Sequence, residues 1–158
     1  RLMGKNYIKW LRSKVGHEDV ILVAAGAVVE GPDDTILFQK RGDHKEVVWG
    51  LPGGMMEVGE TAEQTMRREV KEETGIDVDI QYFLGAYTNN PVASYPNGDK
   101  AHVILFIFVC KPSGGMLQPD GKETLDVRFD TPQNIGPLFP RHTQVIDDYF
   151  SKRNGVVR

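Results

Sequence analysis

Apolar and polar positions along this chain recur with two periods, near 3.6 and near 2, and the switches between them predict the elements. Residues 3–15 (MGKNYIKWLRSKV) place Met3, Tyr7, Ile8, Trp10, Leu11 and Val15 near helical spacing. That predicts an N-terminal helix within 1–16, packed on the body or on a second subunit. Gly16-His17-Glu18-Asp19 is a polar break with His17 at the surface. Residues 20–29 (VILVAAGAVV) are almost all small or β-branched, as in a strand buried on both faces. Gly31-Pro32-Asp33-Asp34 has turn composition. Residues 35–41 set Ile36, Phe38 and Lys40 against Leu37, Gln39 and Arg41, which predicts the hairpin partner of the preceding strand. A polar loop at 42–46, carrying His44 and Lys45, leads into a short strand at 47–49 with Trp49 in the core.

Further on, 78–88 and 101–111 give the two strongest strand patterns. The segment between them, 89–100, holds Pro91, Tyr95, Pro96 and Asn97-Gly98-Asp99. Asn-Gly marks a hairpin tip, and the length beyond a tight turn predicts a functional loop. Ser113-Gly114-Gly115 closes the second of these strands. LDVRF at 125–129 alternates as a further strand, and 131–138 is turn-rich. Residues 141–152 form an amphipathic helix with Val145, Ile146, Tyr149 and Phe150 inward, and the tail 153–158 is expected to fray. Strands on both sides of a helix, with helices at the ends, make an α/β or α+β class protein, one domain over 1–158.

The central helix carries an anomaly. Thr61 stands where an N-cap belongs, with Gln64 three residues on as in a capping box, and Gly75 fits a left-handed C-terminal position. Ala62, Met66 and Val70 form the apolar stripe, with Gln64, Arg67 and Lys71 opposite. Glu69 and Glu73, however, lie within about 60° of the stripe's centre, with Glu72 on its flank. Like charges at i, i+3 and i, i+4 repel, and carboxylates beside a core need compensation. A hard divalent cation, Mg²⁺ or Mn²⁺, is one that all-oxygen ligands select; a helix simply wet on that side is the other reading. Leu51-Pro52-Gly53-Gly54 precedes it, a fixed φ followed by two residues free of a Cβ. Such glycines let a bare backbone group approach an ion or a phosphate.

Composition narrows the partners. The chain has 158 residues, 40% hydrophobic and 26% charged, with a formal net charge of −3. That balance argues against a nucleic-acid scaffold or a membrane-surface binder, and an anionic substrate must be drawn by a local cation. Cys110 is the single cysteine, set in VILFIFVC, so a buried thiol and a cytoplasmic location are expected. The longest apolar run, 103–110, is too short to span a bilayer.

Gly54, five residues, Glu60, seven residues, Arg68-Glu69-Val70, one residue, Glu72-Glu73, one residue, Gly75-Ile76 resembles the complete Nudix box, at every defining position. The resemblance implies an α/β/α sandwich with a mixed, curved sheet between helices. It implies hydrolysis of a nucleoside diphosphate linked to a further group, by metal-assisted attack of water on phosphorus. In that pattern Glu69 and Glu73 are the principal ligands of Mg²⁺ or Mn²⁺, Glu72 a third, and a carbonyl of Gly53 or Gly54 completes the set. Arg68 then orients Glu60 rather than touching substrate, while Glu60 also sits where a helix N-terminus favours a carboxylate. Members of the family differ in the general base: a box glutamate (Glu72 or Glu73) or an acid on a later loop, here Glu123 and next Asp126. Lys40 and Arg41 end a strand where they can meet phosphates; Tyr95 and Gly53 complete the expected substrate contacts. A subgroup active on ADP-ribose carries a proline about 15 positions after the box, and Pro91 is 15 after Ile76. The substrate expectation therefore leans to ADP-ribose or a nucleotide sugar. The alternatives are a nucleoside triphosphate pyrophosphohydrolase that clears oxidised nucleotides, or a non-catalytic nucleotide-sensing domain. A small nucleotide is the expected partner, with a homodimer compatible with the N-terminal helix.

Overall fold

Val20–Val29, strand β1, lies at the centre of the protein, and its neighbours explain its composition. The computed structural model describes residues 7–42 and 46–158, so Met3, His44 and Lys45 lie outside the described residues. The elements run α1 (Tyr7–Val15), β1, β2 (Ile36–Arg41), β3 (Trp49–Gly50), β4 (Gly53–Met55), α2 (Ala62–Thr74) and β5 (Ile76–Tyr87). They continue with β6 (Ala93–Ser94), β7 (Lys100–Gly115), β8 (Thr124–Asp130), α3 (Pro132–Ile135), α4 (Pro140–Phe150) and β9 (Val156–Val157). β1 pairs in parallel with β7 from Val20 opposite Ala101 to Val29 opposite Cys110. Leu22, Ala24 and Val28 face one core cluster with Val103, Leu105, Ile107 and Val109. Ala25, Ala27 and Val29 face a second with Phe108, Cys110 and, from α2, Met66 and Val70. Both faces are buried, so the strand has no polar alternation.

The main sheet runs β4-β1-β7-β5-β9, with β6 also on β7, and mixes parallel and antiparallel pairs. Helix α2 covers one face, while Tyr7, Ile8 and Leu11 of α1 and Val145, Ile146 and Tyr149 of α4 pack on the other. This is the mixed α+β sandwich expected. None of the described helices is long and apolar enough to cross a membrane.

Three expectations are corrected. Phe150, expected inward, is exposed, because α4 turns only Val145, Ile146 and Tyr149 onto the core. β2 is not the hairpin partner of β1; the two share an isolated bridge, Glu30 with Ile36. β2 instead forms a second sheet with β3 and β8, Ile36 opposite Asp130 and Arg41 opposite Thr124. The reason is that the edges of β1 are occupied, one by β7 and the other by β4, with the Ala27 N–H donating to the Pro52 carbonyl at 3.0 Å. Nor does the 153–158 tail fray. Val156 and Val157 pair in parallel with Gly85 and Ala86. Arg158 then reaches buried Asp148 at 2.6 Å, and Asp148 also accepts from the Tyr87 hydroxyl at 2.9 Å. A buried carboxylate that needs a cation gives the tail its anchor.

Helix α2 starts and stops as its sequence requires. Thr61 Oγ1 accepts from the Gln64 N–H and Gln64 Oε1 accepts from the Thr61 N–H, closing the capping box. Gly75 takes φ +80 and donates its N–H to the Lys71 carbonyl.

Candidate active site

The site begins where β4 meets α2. A Cβ on Gly54 would overlap the Glu69 carboxylate, so glycine there lets Glu69 lie directly against the strand. One residue earlier, the Gly53 N–H donates to Glu73 Oε1 at 2.8 Å. The other oxygen of Glu73 accepts from Gln39 Nε2 at 3.1 Å. Gln39 is itself fixed, accepting from Thr124 Oγ1 at 2.7 Å and donating to the Leu51 carbonyl at 3.3 Å. Glu73 is buried, and that burial, with the nearby charge of Glu69, pushes its carboxyl up to about 8 despite the two donors.

Arg68 compensates the remaining acids. Its guanidinium grips Glu60 with two bonds, Nε to Oε2 at 2.6 Å and Nη2 to Oε1 at 2.9 Å. It also meets Glu69 Oε1 at 2.7 Å and Glu72 at 3.5 Å, and donates to the Met55 carbonyl at 3.1 Å. The Arg68 bond holds the Glu60 carboxyl down at about 2. Burial raises that of Glu69 against the pull of Arg68.

Gly53, Gly54, Glu69, Glu72 and Glu73 line a cleft of about 750 Å³. Ala24, Leu105 and Ile107 belong to its wall, Tyr95 and Pro96 come from the 89–100 segment, and Glu57, Glu69, Glu72, Glu73 and Glu123 supply carboxylates. Arg41, Phe139, Arg141 and His142 make a separate basic and aromatic group in the same cleft. Of the residues singled out from the sequence, Gly53, Gly54, Glu69, Glu72, Glu73, Arg41, Tyr95 and Glu123 meet in this space. Arg68 stands behind the acids. Lys40 and Asp126 lie outside it: the Lys40 charge acts on Asp126, which is paired with Arg128 at 2.7 Å. Trp49 is buried, under the Arg128 guanidinium at 4.7 Å. Pro91 is outside the cleft as well, whereas Pro96 lines it.

The donor set has the chemistry of a hard divalent cation, carboxylate oxygens beside the bare backbone of Gly53-Gly54. As the side chains stand, no three His, Cys, Asp or Glu residues among the described residues converge on one point. Glu69 is turned onto Arg68 and Glu73 onto Gly53 and Gln39, so holding an ion requires those carboxylates to turn into the cleft. Five residues here were not foreseen. Glu57 is one of the five variable residues between Gly54 and Glu60, while Gln39, Phe139, Arg141 and His142 belong to no local motif, and only their position in the fold brings them to the carboxylates.

Comparison with known proteins agrees with this geometry. The NUDIX domain family model matches residues 20–150. An ADP-ribose pyrophosphatase of Methanocaldococcus jannaschii is 31% identical, over 98% of this chain and 90% of its own length. The NAD-capped RNA hydrolase NudC of Vibrio vulnificus is 36% identical over 68% of this chain but only 38% of its own. Among solved structures, an ADP-ribose pyrophosphatase from Streptococcus suis superposes with a TM-score of 0.66 at 25% identity, covering 87% of this chain and 97% of that one. With the box, the sandwich and the carboxylate cleft in agreement, this chain belongs to the Nudix family of hydrolases.

Proposed function

We propose that this chain is a Mg²⁺- or Mn²⁺-dependent pyrophosphohydrolase of ADP-ribose or a nucleotide sugar, acting in the cytoplasm. The observation that carries the reading is the Gly53–Glu73 bond, which sets the box carboxylates against a bare backbone bend inside a nucleotide-sized cleft. The likeness to ADP-ribose pyrophosphatases over nearly the whole chain supports the substrate class. Glu69 and Glu73, with Glu72 and a carbonyl of Gly53 or Gly54, are the residues that would hold the ion. Bound there, it supplies positive charge at phosphoryl oxygens and acidifies the attacking water.

The chain's own groups do the rest. Arg68 holds Glu60 and Glu69 in position from behind. Glu123, exposed on its loop and facing the cleft, takes the proton of the attacking water. Water attacks one phosphorus, the bridging P–O bond breaks, and two monophosphates leave. Arg41 offsets phosphate charge, and Tyr95 covers the nucleoside. Turnover of ADP-ribose, nucleotide sugars, dinucleoside polyphosphates and nucleoside triphosphates, each with Mg²⁺, Mn²⁺ or EDTA, tests the reading. The expected result is metal-dependent cleavage with ADP-ribose or a nucleotide sugar preferred. Preference for an oxidised nucleoside triphosphate would reassign the substrate, and binding without turnover of any compound would make this a nucleotide sensor.

A further inference from the structure

His142 is a buried polar side chain, 7% exposed, in a cleft whose family motif lies elsewhere in the chain. Its Nδ1 accepts the Leu51 N–H at 3.0 Å, which fixes the neutral tautomer with the proton on Nε2. That Nε2–H has no hydrogen-bond partner among the described residues. The ring is held by an edge-on contact with Phe139 at 5.1 Å and lines the cleft. Arg41 and Arg141 stand around the same Phe139, at 5.0 and 5.4 Å from the ring centre, and both line the cleft. Their charges, after burial, hold the imidazole down at about 3, so it stays a neutral donor. Arg141 and His142 also open helix α4, whose N-cap, Phe139, provides no side-chain cap, leaving the positive end of an 11-residue helix toward the group.

We propose that His142 Nε2–H, Arg141, Arg41 and the start of α4 form an oxyanion subsite that takes the second phosphoryl group of the substrate. The spacing suits this. His142 grips Leu51 and Glu73 grips Gly53, two residues along one backbone, so the two anchor points are at most about 7 Å apart. A diphosphate can therefore have one phosphoryl at the carboxylates and the other at the basic group. A neutral histidine flanked by two guanidiniums provides donors only, which selects an oxyanion over a hydroxyl that must also donate. The subsite deepens the pyrophosphohydrolase reading and rests on it for the substrate's identity, while binding at the subsite can be measured without turnover.

The test is titration calorimetry of inorganic pyrophosphate into the full chain in EDTA, near neutral pH. His142→Asn keeps an acceptor within reach of the Leu51 N–H and lacks the far donor; Arg141→Gln removes one cation. Each is expected to weaken pyrophosphate binding about tenfold, the scale of one hydrogen bond to a charged group. Glu73→Gln is expected to bind at least as tightly as wild type. No measurable binding by wild type, unchanged affinity in both basic-site variants, or loss of binding in Glu73→Gln alone would each overturn the proposal. If His142→Asn does not fold, Arg141→Gln decides. Weakened binding in the variants together with no turnover of any diphosphate would reject the enzymatic reading and leave the subsite standing.

Discussion

The backbone N–H of Gly53 donates to Glu73 Oε1 across 20 residues of sequence, at 2.8 Å. This bond ties the Pro-Gly-Gly bend to the last turn of α2 and makes two halves of one motif a single site. Glutamine at position 73 retains the oxygen that Gly53 needs and lacks the charge that a cation needs. Glu73→Gln is therefore expected to fold normally by circular dichroism and to lose about 100-fold or more of turnover; even groups that merely support a metal ligand cost about 10- to 100-fold. A variant keeping more than a tenth of wild-type rate would remove Glu73 from the ligand set.

The same carboxylate sets the pH dependence of the metal-free protein. Glu73 is raised from 4.5 to about 8 in the fold, so folding takes up a proton between those values and stability falls as pH rises. Glu69 is shifted in the same direction. His142 is lowered from 6.5 to about 3, so its contribution is full above 6.5 and is lost as pH falls toward 3. Between about pH 4.5 and 6.5 the His142 effect opposes that of the glutamates, and from 6.5 to 8 the fall set by Glu73 is unopposed by His142. In EDTA the melting temperature is expected to change less over the first range than over the second, where stability falls by up to about 1.4 kcal/mol per pH unit for each fully linked proton. In Glu73→Gln the first range should slope upward and the second should flatten. A wild-type melting temperature that rises between pH 6.5 and 8 would contradict this.

Adding Mg²⁺ or Mn²⁺ should reverse the loss. An ion that binds only the folded state stabilises it by mass action, about 2.7 kcal/mol at a hundred times its dissociation constant. The rise in melting temperature should be larger at pH 8 than at pH 6, because the ion competes with the proton on Glu73. In Glu69→Gln/Glu73→Gln the rise should largely vanish; a full shift surviving there would put the ion elsewhere.

How much of this was legible in the sequence follows from how local each interaction is. The capping of α2 by Thr61, Gln64 and Gly75 is written within one helix, and so is the crowding of Glu69, Glu72 and Glu73. Arg68 answers that crowding within the same helix, but its bidentate grip on Glu60 depends on the loop before it. Period-2 alternation identified β2 as a strand, but chain order assigned it the wrong partner, β1, because alternation records which faces are buried and not which edge is taken. Gln39 looked like one polar residue in a strand; its role comes from Glu73, Leu51 and Thr124, brought together by both sheets. His142 was hidden for the same reason, beside Val145 and Ile146 in an amphipathic helix whose start faces the cleft. The tail gave no signal, because its anchor, Asp148, is buried only once α4 has packed.

The remaining prediction concerns Tyr95, which lines the cleft from a loop whose tip is tied down at some distance from it. The Tyr95 N–H donates to the Asp99 carbonyl at 2.9 Å, closing the turn through Asn97 and Gly98. The Asp99 side chain bonds His17 at 2.8 Å and pairs with Arg12 at 3.5 Å, and Arg12 also donates to the Lys100 carbonyl at 2.6 Å. Helix α1 thus holds the loop that presents the ring. Carboxylates that hold a metal would serve any phosphate chain alike, so preference among substrates would come from groups that touch the rest of the molecule. Tyr95→Ala should cost on the order of 1 kcal/mol, several-fold in kcat/KM, for substrates whose base or ribose meets the ring. The metal-induced rise in melting temperature should stay as in wild type. Arg12→Ala, which never touches the cleft, should shift preference in the same direction by a smaller factor through a raised KM with kcat kept. Equal specificity constants for wild type and Tyr95→Ala across the substrate panel would make the tyrosine a brace of the hairpin tip and nothing more.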